Sequence, residues 1–387
     1  MKILKITVSG YKMLAPGFTI NFLTKTRIDP EQNNEDLFAI KSGFYLPKEY
    51  AFIGRNSSGK STVLSLVKLC FSILQSGRAY LEKGVKEGAH LDLTVLFYDE
   101  GLLKRYEVHY HAPAVRGETI SYYKIDDEDY QVGELRPFYK KDLSDAAFHK
   151  ERAFKKRSGG LEDTSSLPAF VKDPFPGMID AGDYYTHFTD LLEWIYRSSH
   201  PEALQKKLER VSEKIFNLLD EGIVSLKPGQ GDHTFIYTRK NQTPLCLGLA
   251  ELDALLSEGT KTGYALYASA VLSFFFGWTM LVDEIERNFN KNLVENIIIM
   301  FNDKRLNPKG ATLVFSTHYS EILDLFARND NIDVLHKEND VITLANVSED
   351  YEQRVELSKS KAFNNNTFDT LLNYDKLMDL KTEIWSD

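Results

Sequence analysis

The sequence predicts an α/β fold in which a parallel sheet is combined with antiparallel strands, and three observations predict it. A glycine-rich loop at residues 54–61 lies between an apolar strand and a helix. The C-terminal half alternates short apolar strands with helices, an order that gives a parallel sheet. The N-terminal third contains segments of alternating apolar and polar residues, which is typical of antiparallel strands.

The antiparallel strands come first along the chain. Residues 1–23 predict a hairpin with strands ILKITVSGY and FTINFL and a turn at Ala15-Pro16-Gly17. HLDLTVLFYDEG and LLKRYEVHYH alternate in the same way, and SYYKIDDEDYQV predicts a further hairpin. Between them, EYAFIG predicts a buried strand that ends at Gly54, and STVLSLVKLCFSILQSG has the apolar spacing of a helix.

The pattern changes near residue 140. Residues 140–222 predict a helical insert, in which KKDLSDAAFHKERAFKKR is polar and helical and two later segments are amphipathic helices. Strands and helices alternate again afterwards. We therefore expect four segments: 1–139 and 223–345 as two parts of one core, 140–222 as the insert, and 346–387 as a helical tail.

Composition excludes some classes of protein. The net charge of -9 argues against a protein covered by nucleic acid over its whole surface. No window approaches ~18 consecutive apolar residues, and the N-terminus lacks a signal-peptide pattern. We therefore expect a cytoplasmic protein with no membrane partner. Cys70 and Cys246 lie in apolar neighbourhoods and are expected to be buried, reduced thiols.

The glycine-rich loop GRNSSGKS fits the phosphate-binding pattern G-x-x-x-x-G-K-[ST]. Glycines allow successive backbone N–H groups to point at phosphate oxygens, and the helix N-terminus adds partial positive charge. Lys60 is expected to contact the β- and γ-phosphates, and Ser61 to ligate Mg²⁺. The predicted nucleotide-binding residues of this loop are Gly54, Arg55, Asn56, Ser57, Ser58, Gly59, Lys60, Ser61 and Thr62.

Two later strands end in polar residues. TMLVDE ends at Asp283 and Glu284, and LVFSTH ends at His318. Ligands of open α/β sheets bind at the carboxyl ends of the strands, so these side chains are expected to face the loop. We expect Asp283 to hold Mg²⁺, Glu284 to polarise the attacking water, and His318 to contact the γ-phosphate or that water. Each pattern alone is also common at a solvent boundary.

A second helix begins with the sequence SEGTK. Ser257 and Gly259 before a helix N-terminus make either an anion site or an ordinary helix cap. Because the chain already has one phosphate cradle, a second one fits a design in which two subunits sandwich the nucleotide. Each subunit would then offer its Ser-Gly helix to the nucleotide of the other.

These four motifs, in this order, resemble the ABC-type ATPases of the SMC, RecF and OLD group, and most closely the small OLD-like ATPases of bacterial anti-phage defence loci. The resemblance implies an ABC-type ATPase head with an inserted helical lobe, ATP and Mg²⁺ as ligands, and a homodimer or larger homo-oligomer. It identifies SEGTK as the signature motif, TMLVDE as Walker B and STH as the switch histidine. It also places Lys12 near the nucleotide, where the group usually has an arginine.

The sequence departs from this group in several places. IERNFN follows Glu284 where relatives often have a histidine or an aspartate, and no Q-loop glutamine can be placed, since Gln131 lies in an expected hairpin. The insert is too short for a long coiled-coil arm. Too little chain follows His318 to build the nuclease of full-length OLD proteins. The resemblance therefore implies a separate effector protein, a nuclease or a toxin.

Three functions stay open from the sequence. The first is a slow ATPase that dimerises around ATP, senses a phage-linked signal and controls the effector. The second is a RecF-like repair ATPase, for which the basic segment 149–157 of the insert is the best candidate contact to nucleic acid. The third is an ATP-dependent scaffold with little turnover, and the intact Lys60, Asp283 and Glu284 argue against it.

Overall fold

A computed structural model provides the structure of the chain. It describes residues 1–26, 28, 34–41, 44–76, 90–99, 102–111, 114–124, 152–157, 177–181, 184–197, 200–231, 233–287, 291–351, 358–370 and 374–385. Among these residues the strands are β1 (Lys2–Ser9), β2 (Phe18–Asn21), β3 (Leu37–Lys41), β4 (Phe44–Pro47), β5 (Glu49–Gly54), β6 (His90–Asp99), β7 (Leu102–His111), β8 (Ala114–Lys124), β9 (Arg152–Arg157), β10 (Met178–Asp180), β11 (Ile223–Pro228), β12 (Thr234–Arg239), β13 (Leu245–Gly248), β14 (Thr279–Val282), β15 (Thr312–Ser316), β16 (Ile332–Glu338) and β17 (Val341–Asn346). The helices are α1 (Lys60–Ser76), α2 (Tyr184–Arg197), α3 (Glu202–Leu219), α4 (Leu249–Leu255), α5 (Glu258–Phe276), α6 (Lys291–Asn302), α7 (Lys359–Asn364) and α8 (Tyr374–Trp385), with a 3-10 helix at Ser320–Leu325.

Two six-stranded sheets form the framework. One is antiparallel, with the strand order β2-β1-β6-β7-β8-β9, and the other has the order β10-β14-β15-β5-β16-β17. In the second sheet all neighbours are parallel except β17, which returns antiparallel to β16. The expected α/β fold with a mixed sheet and added antiparallel strands is confirmed. Because β14, β15 and β5 are parallel neighbours, their carboxyl ends lie at one edge.

The parallel sheet is buried on both faces, which explains its apolar strands. Alternate side chains of a strand point to opposite faces. In β5, Tyr50 and Phe52 join a core with α1 and the antiparallel sheet, while Ala51 and Ile53 join a second core. That second core contains α5, α6 and the helices of the insert. The strand carrying the glycine-rich loop is thus held from both sides.

The insert helices α2 and α3 pack directly on α5. Tyr264 of α5 stacks on Phe216 with ring centroids 4.3 Å apart and meets Phe188 edge-on at 5.6 Å. The Tyr264 hydroxyl also lies 2.7 Å from the Ser212 hydroxyl, so the buried polar atoms are paired. Helices α2 and α3 of the insert therefore share a core with the parallel sheet.

The structure corrects two expectations. Residues 152–157 form strand β9 at the edge of the antiparallel sheet, so the predicted polar helix is wrong for this part. Cys70 is buried as expected, whereas Cys246 is exposed on β13. The boundary at residue 140, Gln131 and most of the predicted hairpin at SYYKIDDEDYQV lie outside the described residues. Among the described residues, no helix combines the length and the apolar character needed to cross a membrane.

The N-terminal hairpin is confirmed and reaches the nucleotide loop indirectly. Strands β1 and β2 pair antiparallel, and the turn between them contacts β17. The N–H of Ile342 donates to the Met13 carbonyl at 2.8 Å, and the N–H of Ala15 donates to the Ile342 carbonyl at 2.9 Å. This pairing fixes Met13 beside the glycine-rich loop.

Candidate functional site

The loop after β5 has a backbone that requires glycine at two positions. Gly54 has φ +151°, and a Cβ atom there would lie 2.6 Å from the Leu335 carbonyl oxygen. Gly59 has φ +105°, and a Cβ atom would lie 2.4 Å from the Cδ1 atom of Ile342. Left-handed backbone and the lack of space both exclude larger residues. The loop is therefore a close-fitting backbone cradle at the N-terminus of α1, where anions bind favourably.

Lys60 is the first residue of α1 and is almost fully buried. Its Nζ donates to the carbonyl oxygens of Gly54 and Arg55, at 3.0 Å each. Burial lowers the pKa of Lys60, and the carboxylates of Asp283 and Glu284 oppose that shift. The ammonium group is thus held at the mouth of the cradle by weak carbonyl partners. A phosphate oxygen is a stronger, charge-assisted acceptor for it.

The two acids after β14 are held by Ser316, the last residue of β15. The Ser316 hydroxyl donates to Asp283 Oδ1 at 2.5 Å and accepts the N–H of Glu284 at 2.7 Å. Glu284 has φ +50°, a left-handed conformation that costs energy for a residue with a Cβ atom. The neighbouring strand thus maintains the turn that carries both acids.

His318 lies beyond the end of β15, two residues after Ser316. Burial lowers the pKa of His318, and the positive charge of Lys60 lowers it further. The carboxylates of Glu286, Glu284 and Asp283 act in the opposite direction without reversing the shift. The imidazole is therefore neutral near pH 7, and it can donate one hydrogen bond and accept another.

The loop, the turn and the histidine surround one cavity. Its lining residues are Met13, Asn56, Ser57, Gly59, Lys60, Ser61, Thr62, Glu284, His318 and Lys337. The structure therefore brings the glycine-rich loop together with Glu284 and His318, as the sequence predicts. A second cavity next to it is lined by Arg55, Asn56, Ser57, Ser58, Leu335, His336, Lys337, Glu338 and Asp369.

Other predicted residues lie elsewhere. Lys12 is exposed, with its Nζ 5.2 Å from the centre of the Tyr11 ring, and its neighbour Met13 lines the cavity instead. Ser257 and Gly259 are exposed at the start of α5 and are not lining residues of the cavity around Lys60. The Ser257 hydroxyl accepts the N–H of Thr260 at 3.1 Å, so in one copy of the chain it caps its own helix.

The residues fit a Mg²⁺ ion bound together with a nucleotide. Ser61 presents a hydroxyl at the cavity, and Asp283 is a carboxylate fixed by Ser316 at the adjoining strand end. Mg²⁺ commonly uses one or two protein oxygens and completes its shell with substrate phosphates and water. A Mg²⁺ ion held by Ser61 and Asp283 would neutralise part of the negative charge of the bound phosphates.

Sequence reasoning missed three residues of this site: Met13, Lys337 and Glu286. Met13 and Lys337 line the cavity, from the N-terminal turn and from the end of β16. Glu286 accepts a hydrogen bond from the backbone N–H of His318 at 2.5 Å. The signal for Glu286 was present, since it is a third acid only two residues beyond Glu284 in a segment noted for its departure from relatives.

The fold and the site together define a P-loop ATPase. A family model described as "AAA domain, putative AbiEii toxin, Type IV TA system" matches residues 50–324, which is well over half of the chain. The chain belongs to this family. A search of curated protein sequences gave no match.

One solved structure with a TM-score above 0.5 supports the fold. An SMC head bound to the C-winged helix domain of ScpA is 14% identical with a TM-score of 0.51, covering 94% of this chain and 100% of that chain. The SMC head domain from Thermotoga maritima is 12% identical with a TM-score of 0.42, covering 90% and 99%. The ATP-binding cassette MJ0796, in a dimeric structure bound to ADP and Pi, is 14% identical with a TM-score of 0.32, covering 87% and 94%.

Proposed function

We propose that this protein is a cytoplasmic ATPase that dimerises around ATP and regulates a separate effector in bacterial anti-phage defence. One observation supports the dimer: the two segments expected to contact phosphate lie apart in a single chain. Lys60, Glu284 and His318 face one cavity, while the segment Ser257–Gly259 is exposed and lies outside its lining. A second copy can bring its exposed helix start to that cavity.

The proposed chemistry uses residues that the structure already holds in place. Lys60 leaves its carbonyl partners and pairs with the β- and γ-phosphates of ATP. Glu284 accepts a proton from the attacking water, and neutral His318 donates a hydrogen bond to the γ-phosphate. The hydroxyl of Ser257 and the N–H groups that follow it in the second copy complete the shell around the γ-phosphate.

The role in defence rests on the family. The matching family carries the description "AAA domain, putative AbiEii toxin, Type IV TA system", and this description supports a role in defence. We propose that ATP-driven closure moves the helices α2 and α3, because they pack on α5, whose first turn carries Ser257. The signal would then pass from the nucleotide to the surface on which an effector binds.

Mixing two impaired variants tests the composite site. Lys60→Ala removes the cradle of one copy, and Ser257→Asp spoils the helix start of the other. In a mixed dimer, one of the two sites combines a normal cradle with a normal helix start. We expect the mixture to regain up to about half of the wild-type activity per chain, well above the activity of either variant alone. Absence of recovery at concentrations where the mixed dimer forms would contradict the proposal.

A nucleic-acid function is the second candidate, and one observation favours it. The basic residues of 152–157 (RAFKKR) lie on β9, the edge strand of the antiparallel sheet. Lys and Arg residues contact the phosphates of nucleic acids, and such contacts weaken as salt rises. DNA that stimulates ATP hydrolysis, with the stimulation fading as salt rises, would favour this candidate. No stimulation at low salt would leave the effector function preferred.

A further inference from the structure

Glu286 connects the turn after β14 to the residue that follows β15. Its Oε1 atom accepts the backbone N–H of His318 at 2.5 Å, a short, charge-assisted hydrogen bond. Its Oε2 atom is buried and has no hydrogen-bond partner among the described residues. The residue as a whole is half-buried, and leaving one of its carboxylate oxygens without a partner costs free energy.

Ser316 makes a parallel connection two residues earlier. Its hydroxyl binds Asp283 and Glu284, and its carbonyl accepts the N–H of Ile285 at 3.0 Å. The two connections run in opposite directions between β15 and the turn Asp283–Glu286, called the acid turn below. Ser316 at the end of β15 binds the acid turn, and Glu286 of the acid turn binds the backbone of His318. The general base and the histidine therefore belong to one hydrogen-bonded unit.

From this geometry we infer that Glu286 is a positioning residue, which fixes the backbone of His318 so that its imidazole faces the γ-phosphate. The inference rests on the role proposed above for His318. What matters in Glu286 is an acceptor oxygen on a side chain long enough to reach the backbone N–H of His318. A misplacement of about 1 Å at a catalytic group can cost roughly 100-fold in rate.

Two variants separate reach from charge. Glu286→Gln keeps the length of the side chain and an acceptor oxygen but removes the charge. Glu286→Asp keeps the charge but withdraws the acceptor by one bond. If Glu286 positions His318, the Gln variant retains a kcat within about threefold of wild type, and the Asp variant loses about 10- to 100-fold. In both variants the affinity for ATP stays within about threefold, because neither touches the cradle. Glu321→Gln, an exposed acid in the 3-10 helix, is the matched control and should change nothing.

A double variant asks whether Glu286 acts through His318. We expect Glu286→Asp to slow the wild type but to add less than about twofold to the loss already caused by His318→Ala. Retained ATP affinity shows in each case that the variant is folded.

The possible failures can be told apart. If His318→Ala is slow and Glu286→Asp hydrolyses normally, the positioning role is overturned and the role of His318 stands. The same holds if the Gln variant is the slow one, or if the two losses multiply in full. If His318→Ala itself hydrolyses ATP at the wild-type rate, the proposed role of His318 fails, and the inference about Glu286 fails with it.

Discussion

Helices α1 and α5 both begin after short segments of serine and glycine, yet their surroundings differ. Lys60 at the start of α1 is almost buried, and it lies beside Glu284 and His318 around one cavity. The first residues of α5 are exposed, and Ser257 bonds to its own helix through Thr260. One helix start is thus a finished phosphate cradle, and the other is a capped helix end that faces solvent.

The difference shows that a helix N-terminus alone does not make a site. At α1, the strand β5, the residue Ile342 and the acid turn surround the loop and exclude water from part of it. At α5 the helix dipole is the same, but Ser257 to Gly259 are exposed to solvent in a single chain. If residues of another copy cover this helix start, changes at α1 should abolish nucleotide binding, and changes at α5 should affect only the assembled dimer.

The largest effect is expected for Lys60→Ala. The side chain is the buried cation of the cradle, and its removal leaves the β- and γ-phosphates without a paired charge. We expect the affinity for ATP to fall by at least about 100-fold, measured with a fluorescent nucleotide. Lys291→Ala, at the exposed start of α6, is the control and should bind normally. If Lys60→Ala bound ATP normally, the start of α1 would not be the phosphate site, and the contrast with α5 would fail.

Changes at Ser257 come next and separate a helix cap from an interface residue. Ser257→Ala removes the cap and should lower the free energy of unfolding by about 1 kcal/mol. Ser257→Asp keeps a capping oxygen, so its stability should match the wild type, but its charge would repel the γ-phosphate. We expect this variant to lose ATP-dependent dimerisation and about 10- to 100-fold of the hydrolysis rate, measured by light scattering and phosphate release.

One result would reduce Ser257 to a cap. If Ser257→Asp dimerises and hydrolyses ATP normally while Ser257→Ala is merely less stable, the segment has no role across an interface. The comparison would then be between a nucleotide site and an ordinary helix start.

A moderate effect is expected from pH. Burial and Lys60 hold the pKa of His318 below its ordinary value of 6.5, so the neutral form predominates at that pH. The rate at pH 6.5 should exceed half of its plateau value at higher pH, and it should fall at lower pH by about tenfold per unit below the folded-state pKa. Single-turnover rates between about pH 5 and pH 8 measure this. A rate that has lost more than half of its plateau value by pH 6.5 would contradict the lowered pKa, and His318→Asn should lack this acidic decline.

Much of the framework could be predicted because its signals are local. The strand, loop and helix of residues 49–76 are contiguous, so the pattern of the sequence and the structure coincide. Asp283, Glu284 and His318 end short apolar strands, and parallel strands bring such ends to one edge. Their chemical roles remain predictions, whereas their proximity follows from the topology.

The rest depends on contacts between distant residues. Glu286 meets His318 across two strands, and Met13 reaches the cavity only because the N-terminal turn pairs with β17. The segment 152–157 has the polar, charged composition of a solvated helix, but it pairs with β8 as a strand. Tertiary pairing overrides local preference in that case. Cys246 is exposed because β13 is an edge strand of a small sheet.

The smallest effect is expected at the ion pair between Arg55 and Asp369. It joins the second residue of the glycine-rich loop to the C-terminal segment, and both side chains are substantially exposed. Exposed ion pairs contribute little because water and salt screen them, so Asp369→Asn should change ATP affinity by less than about threefold. Titrations with salt of the wild type and of the Asn variant, in the same binding assay, should therefore give nearly parallel curves.

A larger effect of Asp369→Asn would mean that residues of the C-terminal segment set the conformation of the glycine-rich loop. Close packing at Gly54, at Gly59 and against the side chain of Ile342 sets the shape of the loop. Such packing contacts do not depend on salt. If the Asn variant bound ATP tenfold more weakly or more tightly, the C-terminal segment would have to set the conformation of Arg55. The finished site at α1 would then depend on a distant segment, as the site at α5 is proposed to depend on a second chain.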